Sequence, residues 1–153
     1  MNGSRLAVRL GADEETVELT RLAGTLHDLG ELAVPEEILR KPGPLTDAER
    51  AALERHSRIG SRMLESLGVD SVAAWVRHHH ERWDGTGYPD GLAGEEIPLG
   101  ARIVLVADAF DAMTSDSVHR AARSTEEALA ELRAGAGTQF DPAVVAALID
   151  EGA

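Results

Sequence analysis

The sequence predicts an all-α fold, and three observations carry that prediction. Only 3% of residues are aromatic while 43% are apolar, so the core must be built from Leu, Val, Ile and Ala, the composition of a helical bundle rather than a β-sandwich. Apolar residues recur at helical spacing along most of the chain. Helix-start signals stand ahead of these periodic stretches. With 153 residues and no repeat, low-complexity stretch or linker, the chain reads as one domain over 1–153.

A short helical piece spans Leu6 to Leu10. Asp13 then caps a helix carrying Val17, Leu19, Leu22, Ala23 and Leu26, expected to end near Gly30. A brief helix from Glu36 to Arg40 meets Lys41-Pro42-Gly43-Pro44, where two prolines and a glycine turn the chain. Thr46 and Glu49 form a capping box, so a helix starts at Asp47, carries Ala51, Leu53 and His56, and continues through Ile59, Met63 and Leu64 to a stop at Gly68. Asp70 is expected to cap the next helix, with Val72, Ala73, Trp75 and Val76 facing the core and His78, His79 and His80 at its C-terminal end. The stretch from Trp83 to Gly91 holds three glycines and a proline and reads as a loop. Pro98 opens a strongly apolar helix through Ile103, Val104, Leu105, Val106, Phe110 and Met113, which predicts a central, buried position. Two last helices start at the Ser124 to Glu127 box and at Asp141 with Pro142.

The formal net charge of -12 removes any global attraction for phosphate backbones or anionic lipid, so DNA-coating and membrane-surface roles are disfavoured. No apolar run approaches the roughly 20 residues that cross a bilayer, and the N-terminus lacks a secretory signal, so a cytoplasmic location is expected. Without cysteine, any metal must be held by nitrogen and oxygen donors.

Five of the six histidines fall into three groups: His27 beside Asp28, His56, and the run ending at His79 and His80, with Asp108 later. Adjacent helical residues point about 100° apart, so His27 and Asp28 reach one site only near a helix end or against the bundle axis. Four imidazoles and two carboxylates exceed what one tetrahedral zinc uses. They suit two ions sharing a bridging carboxylate, a two-metal hydrolytic centre. Asp108 sits among core aliphatics, where an unpaired carboxylate would cost several kcal/mol, and so requires a metal or a strong cation. Taken alone, His27-Asp28 reads as a helix-end ion pair and His56 as a half-exposed helix histidine.

His27-Asp28-Leu29-Gly30, the segment Leu39 to Thr46, His56, the run His79-His80-Glu81-Arg82-Trp83-Asp84-Gly85-Thr86-Gly87-Tyr88-Pro89, Arg102-Ile103 through Asp108 and Asp111-Ala112, and Gly137 to Pro142 together resemble the HD-GYP branch of the HD-domain phosphohydrolases. The resemblance covers nearly the whole chain, and the joint spacing is far more specific than any one element. It implies an HD-domain helical bundle with a glycine-rich loop over a metal centre. It also implies hydrolysis of cyclic di-GMP to the linear dinucleotide or GMP with two or three divalent ions, iron or manganese. The implied metal ligands are His27, Asp28, His56, His79, His80 and Asp108, with His27 and Asp28 catalytic and Asp28 the bridge. Glu81 or Asp111 would orient imidazoles. Gly85 and Gly87 would allow positive φ, and Tyr88 and Pro89 would bind substrate or a signalling partner. Lys41, Arg82, Arg102 and Arg120 are the cations expected to draw in an anionic dinucleotide, Lys41 foremost. His78 is read as an outer residue rather than a ligand, and Trp75 and Trp83 as packing residues.

The chain departs from the family at three places. The family's first metal histidine would fall upstream of Met1, with Asn2 the nearest polar residue. The lysine that usually follows His-Asp-x-Gly is Glu31. Ser117-Val118-His119-Arg120 stands where Arg-Pro-Tyr-Arg is frequent. These motivate an alternative, a catalytically weak or inactive binding or regulatory module. The breadth of the superfamily motivates another, a phosphohydrolase of a different nucleotide.

Overall fold

A computed structural model describes residues 3–116 and 121–150. Asn2 and the stretch from Ser117 to Arg120, with its expected substrate cation, lie outside them. The described residues are helical, in the order α1 (Gly3–Arg9), α2 (Glu14–Leu26), a 3-10 turn (Leu29–Ala33), α3 (Glu36–Leu39), α4 (Asp47–Glu65), α5 (Asp70–His78), a second 3-10 turn (Gly94–Glu96), α6 (Leu99–Thr114), α7 (Thr125–Gly135) and α8 (Pro142–Ile149). The expected caps are in place. Asp13 accepts from the Thr16 amide at 2.8 Å, Thr46 and Glu49 bond reciprocally, as do Ser124 and Glu127, and Asp141 accepts from the Ala143 amide at 2.8 Å.

Two expectations need correction. Helix α2 stops at Leu26 rather than near Gly30, with His27 as its C-cap. The chain then tightens into the 3-10 turn, a common way for a helix terminus to satisfy its last carbonyls. Val69, not Asp70, is the N-cap of α5, and it makes no side-chain cap bond. Asp70 is instead the first helical residue, where its charge faces the positive end of the helix.

Helix α6 lies between two apolar clusters, as its sequence predicts. Ile103, Val106, Phe110 and Met113 pack with Leu6, Leu132, Val144 and Leu148 from α1, α7 and α8 and with Phe140 from the turn before α8. Val104 packs on the other side with Ala23, Leu64, Val72 and Val76. Two glycines bring the second side into close register. At Gly30 an added Cβ would run into the carbonyl oxygen of His56 and would lie 2.7 Å from the amide nitrogen of Gly60. The turn after α2 therefore lies directly on the α4 backbone, with Asp28 beside His56. At Gly100 a Cβ would overlap the Trp75 ring, so this tryptophan fills the contact between α5 and α6.

Gly30→Ala should therefore be disruptive beyond its helical propensity, because backbone rather than a flexible side chain must move. Overpacking of this kind costs about 1–3 kcal/mol. Urea denaturation should show a lower midpoint with an unchanged slope, and an unaltered midpoint would contradict the packing described.

Candidate metal centre

The end of α2 resolves the geometric problem posed by adjacent His27 and Asp28. Because the helix ends at Leu26 with His27 as its C-cap, both side chains reach one place, with His27 Nε2 3.0 Å from Asp28 Oδ2. Helix α6 brings Asp108 Oδ1 to 3.6 Å from His27 Nε2. Helix α4 supplies His56, whose Nε2 lies 4.0 Å from Asp28 Oδ1 and 3.5 Å from His79 Nε2. His79 and His80 follow the last residue of α5, and ligand atoms of His56, His79 and His80 lie within 4.8 Å of one another. All six residues expected as ligands thus gather at one point. Asp28 divides them, one oxygen facing His27 and Asp108 and the other facing the remaining imidazoles.

The backbone aims three of these rings. Nδ1 of His27, His56 and His79 lies 2.9, 2.7 and 2.6 Å from the carbonyl oxygens of Gly24, Leu53 and Val76. A carbonyl only accepts, so in the neutral rings Nδ1 carries the proton and donates, leaving Nε2 with a lone pair toward the centre. The lone pairs of His56 and His79, at 2% and 0% exposure, therefore face each other with no proton between them. His27 Nε2 is buried beside the carboxylates of Asp28 and Asp108. The facing lone pairs are unfavourable in isolation and are relieved by a cation among the nitrogens. The donor set fits divalent metal.

The electrostatics agree. Burial, and then the neighbouring His80, hold His79 down to about 3, so its lone pair is free at neutral pH. Burial followed by His56 holds His80 down to about 4. At His27 burial opposes the charged ring, but Asp108, Asp28 and the Gly24 carbonyl outweigh it and push the pKa up to about 10. The acidic half of the centre therefore takes up a proton in the absence of another cation. Burial alone would raise Asp28, yet His27 and the other imidazoles lower it. Burial and Asp28 raise Glu31.

The glycine-rich loop is held over the centre by a network different from the one expected. Glu81, 1% exposed, does not orient an imidazole ligand. Its carboxylate accepts from the amides of Asp90, Gly91 and Leu92 at 2.7, 3.2 and 3.1 Å, and His78 Nδ1 lies 3.5 Å from it. Asp90 accepts from Arg77 at 2.8 and 3.0 Å and from Arg58 at 3.2 Å. Gly85 takes positive φ, 77°, as expected, but Gly87 does not. Gly87 is required because a Cβ would meet the Arg82 nitrogen and the His80 carbonyl. Tyr88 stacks on His80 with centroids 4.9 Å apart, and its hydroxyl pKa is raised by burial and then by Glu54. Pro89 accepts from Arg58 at 2.8 Å through its carbonyl.

Other expected cations are engaged elsewhere. Lys41 donates to the capping carboxylate of Glu49 at 2.6 Å, Arg82 to Asp84 and Thr86, and Arg102 to Asp141 at 2.7 Å. Sequence reasoning missed Arg58, Arg77 and Asp90, which clamp the loop. No local pattern signals them, since the partners lie 32 and 13 positions apart. The carbonyls of Gly24, Leu53 and Val76 were legible in principle, because each lies three residues before its histidine, the spacing that faces one turn of a helix. The centre opens on two sides, into a cavity of about 360 Å³ beside His27, Asp108 and Asp111 and a groove of about 400 Å³ beside Asp28, Glu31 and Leu39.

A family model described as HD domain matches residues 3–144. The chain is 46% identical over 147 residues to the cyclic di-GMP phosphodiesterase response regulator RpfG of Xanthomonas campestris pv. campestris, covering 94% of this chain and 39% of that protein. It is 40% identical to a cyclic di-GMP phosphodiesterase of Thermotoga maritima, covering 95% and 40%. It is 41% identical to the 3'3'-cGAMP-specific phosphodiesterase 1 of Vibrio cholerae, covering 84% and 30%. The chain thus spans two fifths or less of the length of these relatives. Among solved structures, a cyclic GMP-AMP specific phosphodiesterase of V. cholerae, V-cGAP3, aligns with a TM-score of 0.76 at 23% identity, over 98% of this chain and 41% of that one. Bd1817, an HDGYP protein of Bdellovibrio bacteriovorus, aligns at 0.75 and 23%, over 95% and 47%. At that identity the structures show the shared fold. Among the described residues no helix is long and apolar enough to cross a membrane.

In protein stripped by a chelator, stability should fall on both sides of a maximum near pH 6.5. Unfolded histidines bind protons below about 6.5, whereas His79 and His80 stay neutral down to about 3 and 4, so their contribution is lost as pH falls through that window. His27, raised to about 10, stabilises fully below 6.5 and loses that contribution as pH rises toward 10. Denaturation midpoints at pH 5, 6.5 and 9 measure this, and midpoints rising steadily across that range would contradict it.

Proposed function

Because the chain belongs to the HD-domain family, we propose that it is a metal-dependent phosphodiesterase that hydrolyses a cyclic dinucleotide, cyclic di-GMP in the first instance. The observation that carries this reading is the convergence of six nitrogen and oxygen donors, among them the buried His56 and His79 with lone pairs facing each other. The names of the relatives point to the substrate class.

His27, Asp108 and one oxygen of Asp28 would hold one divalent ion, and His56, His79, His80 and the other Asp28 oxygen a second, iron or manganese by the chemistry of the donors. Bound there, such ions supply Lewis acidity toward phosphoryl oxygens and acidify the attacking water. The protein's own groups do the rest. Asp28 separates the two halves and keeps both carboxylate oxygens ionised. Three backbone carbonyls fix the imidazoles so that no reorientation is needed. Tyr88, its hydroxyl kept protonated, donates a hydrogen bond to substrate at the rim, and Pro89 holds the rim's shape through Arg58. Hydrolysis adds water across one phosphorus–oxygen bond of the ring, releasing a 3'-hydroxyl and leaving a terminal phosphate. A second cleavage would give GMP.

The loop over the centre is also where we place a signalling partner. Glu31 favours a second reading, tight binding with weak turnover, because it adds a carboxylate beside Asp28 at the mouth through which an anionic substrate enters.

Anaerobically purified protein should contain divalent metal and convert cyclic di-GMP to linear dinucleotide or GMP. Asp28→Ala should lose that metal and more than about 100-fold in turnover, beyond what removal of an outer partner costs, with its circular dichroism preserved. Unchanged metal content in the variant would refute Asp28 as the bridge. Binding without turnover in the metal-loaded protein would select the second reading.

A further inference from the structure

The stretch over residues 137–142 stands outside the donor cluster, yet it holds the loop that covers that cluster. Gly137, at φ 82°, closes a tight turn in which its amide donates to the Phe140 carbonyl at 2.9 Å. The amides of Gln139 and Phe140 both donate to the Gly135 carbonyl, at 2.9 and 3.1 Å. In a trans peptide the N–H and the C=O point in opposite directions, so the carbonyls of Thr138 and Gln139, which share those two peptides, are turned outward. They meet the start of the glycine-rich loop. Asp84 donates its amide to Thr138 at 2.8 Å, and Trp83 donates its amide to Gln139 at 3.2 Å.

A buried ion pair stands behind this contact. Asp141 caps α8 through Oδ1, on the Ala143 amide, and through Oδ2 accepts from Arg102 Nη1 at 2.7 Å. The two side chains are only 3% and 16% exposed. The Arg102 guanidinium also lies 5.9 Å from the centre of the Trp83 ring, within the range of a cation–π contact. Arg102 therefore ties α6, the helix that carries Asp108, to the turn and to the first residues of the loop at once. From there the loop is bonded onward to Tyr88. The Asp84 carboxylate accepts from the amide and hydroxyl of Thr86 at 3.0 and 2.6 Å, and the Tyr88 amide reaches the His80 carbonyl at 3.3 Å, where its ring stacks on His80. The far end of the loop is fixed separately, by Glu81 on the amides of Asp90, Gly91 and Leu92. Tyr88 is thus suspended between two anchors.

We propose that the turn over residues 137–142 is a latch for the loop and that Arg102 and Asp141 are positioning residues for hydrolysis, acting through Trp83 and Asp84 on the place of Tyr88 rather than on the substrate. The inference rests on the phosphodiesterase reading and goes beyond it, because it gives an ion pair between α6 and α8 control over substrate binding at the rim.

Removing one member of the pair would leave the other charge buried and unpaired, so the test removes both, as Arg102→Met with Asp141→Asn, the asparagine keeping a cap acceptor for α8. In steady-state hydrolysis of cyclic di-GMP by metal-loaded protein, this variant should raise KM by about tenfold, the effect of losing one hydrogen bond to a charged acceptor. Its metal content should match the wild type, and kcat should hold within about threefold, whereas a fold that is merely destabilised would lower kcat at constant KM. Tyr88→Phe should raise KM similarly, and adding it to the pair should cost less than about twofold more, because a latch that acts through Tyr88 then has nothing left to position. Trp83→Leu empties the latch without changing any charge and should give the same rise and the same lack of additivity, which keeps the test decisive if the paired variant loses its circular dichroism. An unchanged KM, effects that multiply with Tyr88→Phe, or metal lost from the folded variants would overturn the latch and leave the phosphodiesterase reading standing. A metal-loaded wild type without turnover would overturn both.

Discussion

Two imidazole nitrogens face each other across 3.5 Å in the interior, His56 Nε2 and His79 Nε2, each with its proton drawn to the far side of the ring by a backbone carbonyl. Lone pairs so placed repel, and burial denies them water. The rest of the centre has the same polarity. Asp28 and Asp108 press His27 toward its charged form, while His79 and His80 are held neutral. The acidic half demands positive charge and the imidazole half supplies donors to it, so both requirements are met by cations shared between the halves.

The fold meets this constraint with helix ends and with glycines. A continuous helix through His27 and Asp28 would send one of them away from the site. The stop at Leu26 and the following 3-10 turn avoid that. Gly30 lets the turn lie on the backbone of α4 beside His56, and the end of α5 presents His79 and His80 together. His56 and Asp108 come from helix interiors, and α6 is the element shared by both apolar clusters.

Much of this was legible in the sequence because it is local. Capping boxes, prolines at helix starts and apolar spacing depend on neighbours within four positions, and Thr46, Ser124 and Asp141 behave as their chemistry dictates. The clustering of His27, Asp28, His56, His79, His80 and Asp108 was legible through the resemblance, since composition alone admits an ion pair and a surface histidine. What escaped is non-local. Glu81 as the anchor of three loop amides, and Asp90 gripped by Arg58 and Arg77, arise only when α4, α5 and the loop are packed together. Gly87 was misread as a conformational glycine because a requirement for contact and a requirement for positive φ look alike in sequence. The pairing of Lys41 with the glutamate that caps α4 is likewise not signalled by local pattern.

The account stands on shared cations in this one cluster, and diffraction locates them directly. In crystals grown with manganese, an anomalous difference map should show one peak bounded by His27, Asp28 and Asp108 and a second bounded by Asp28, His56, His79 and His80. A map with no peak within bonding distance of these donors would contradict it.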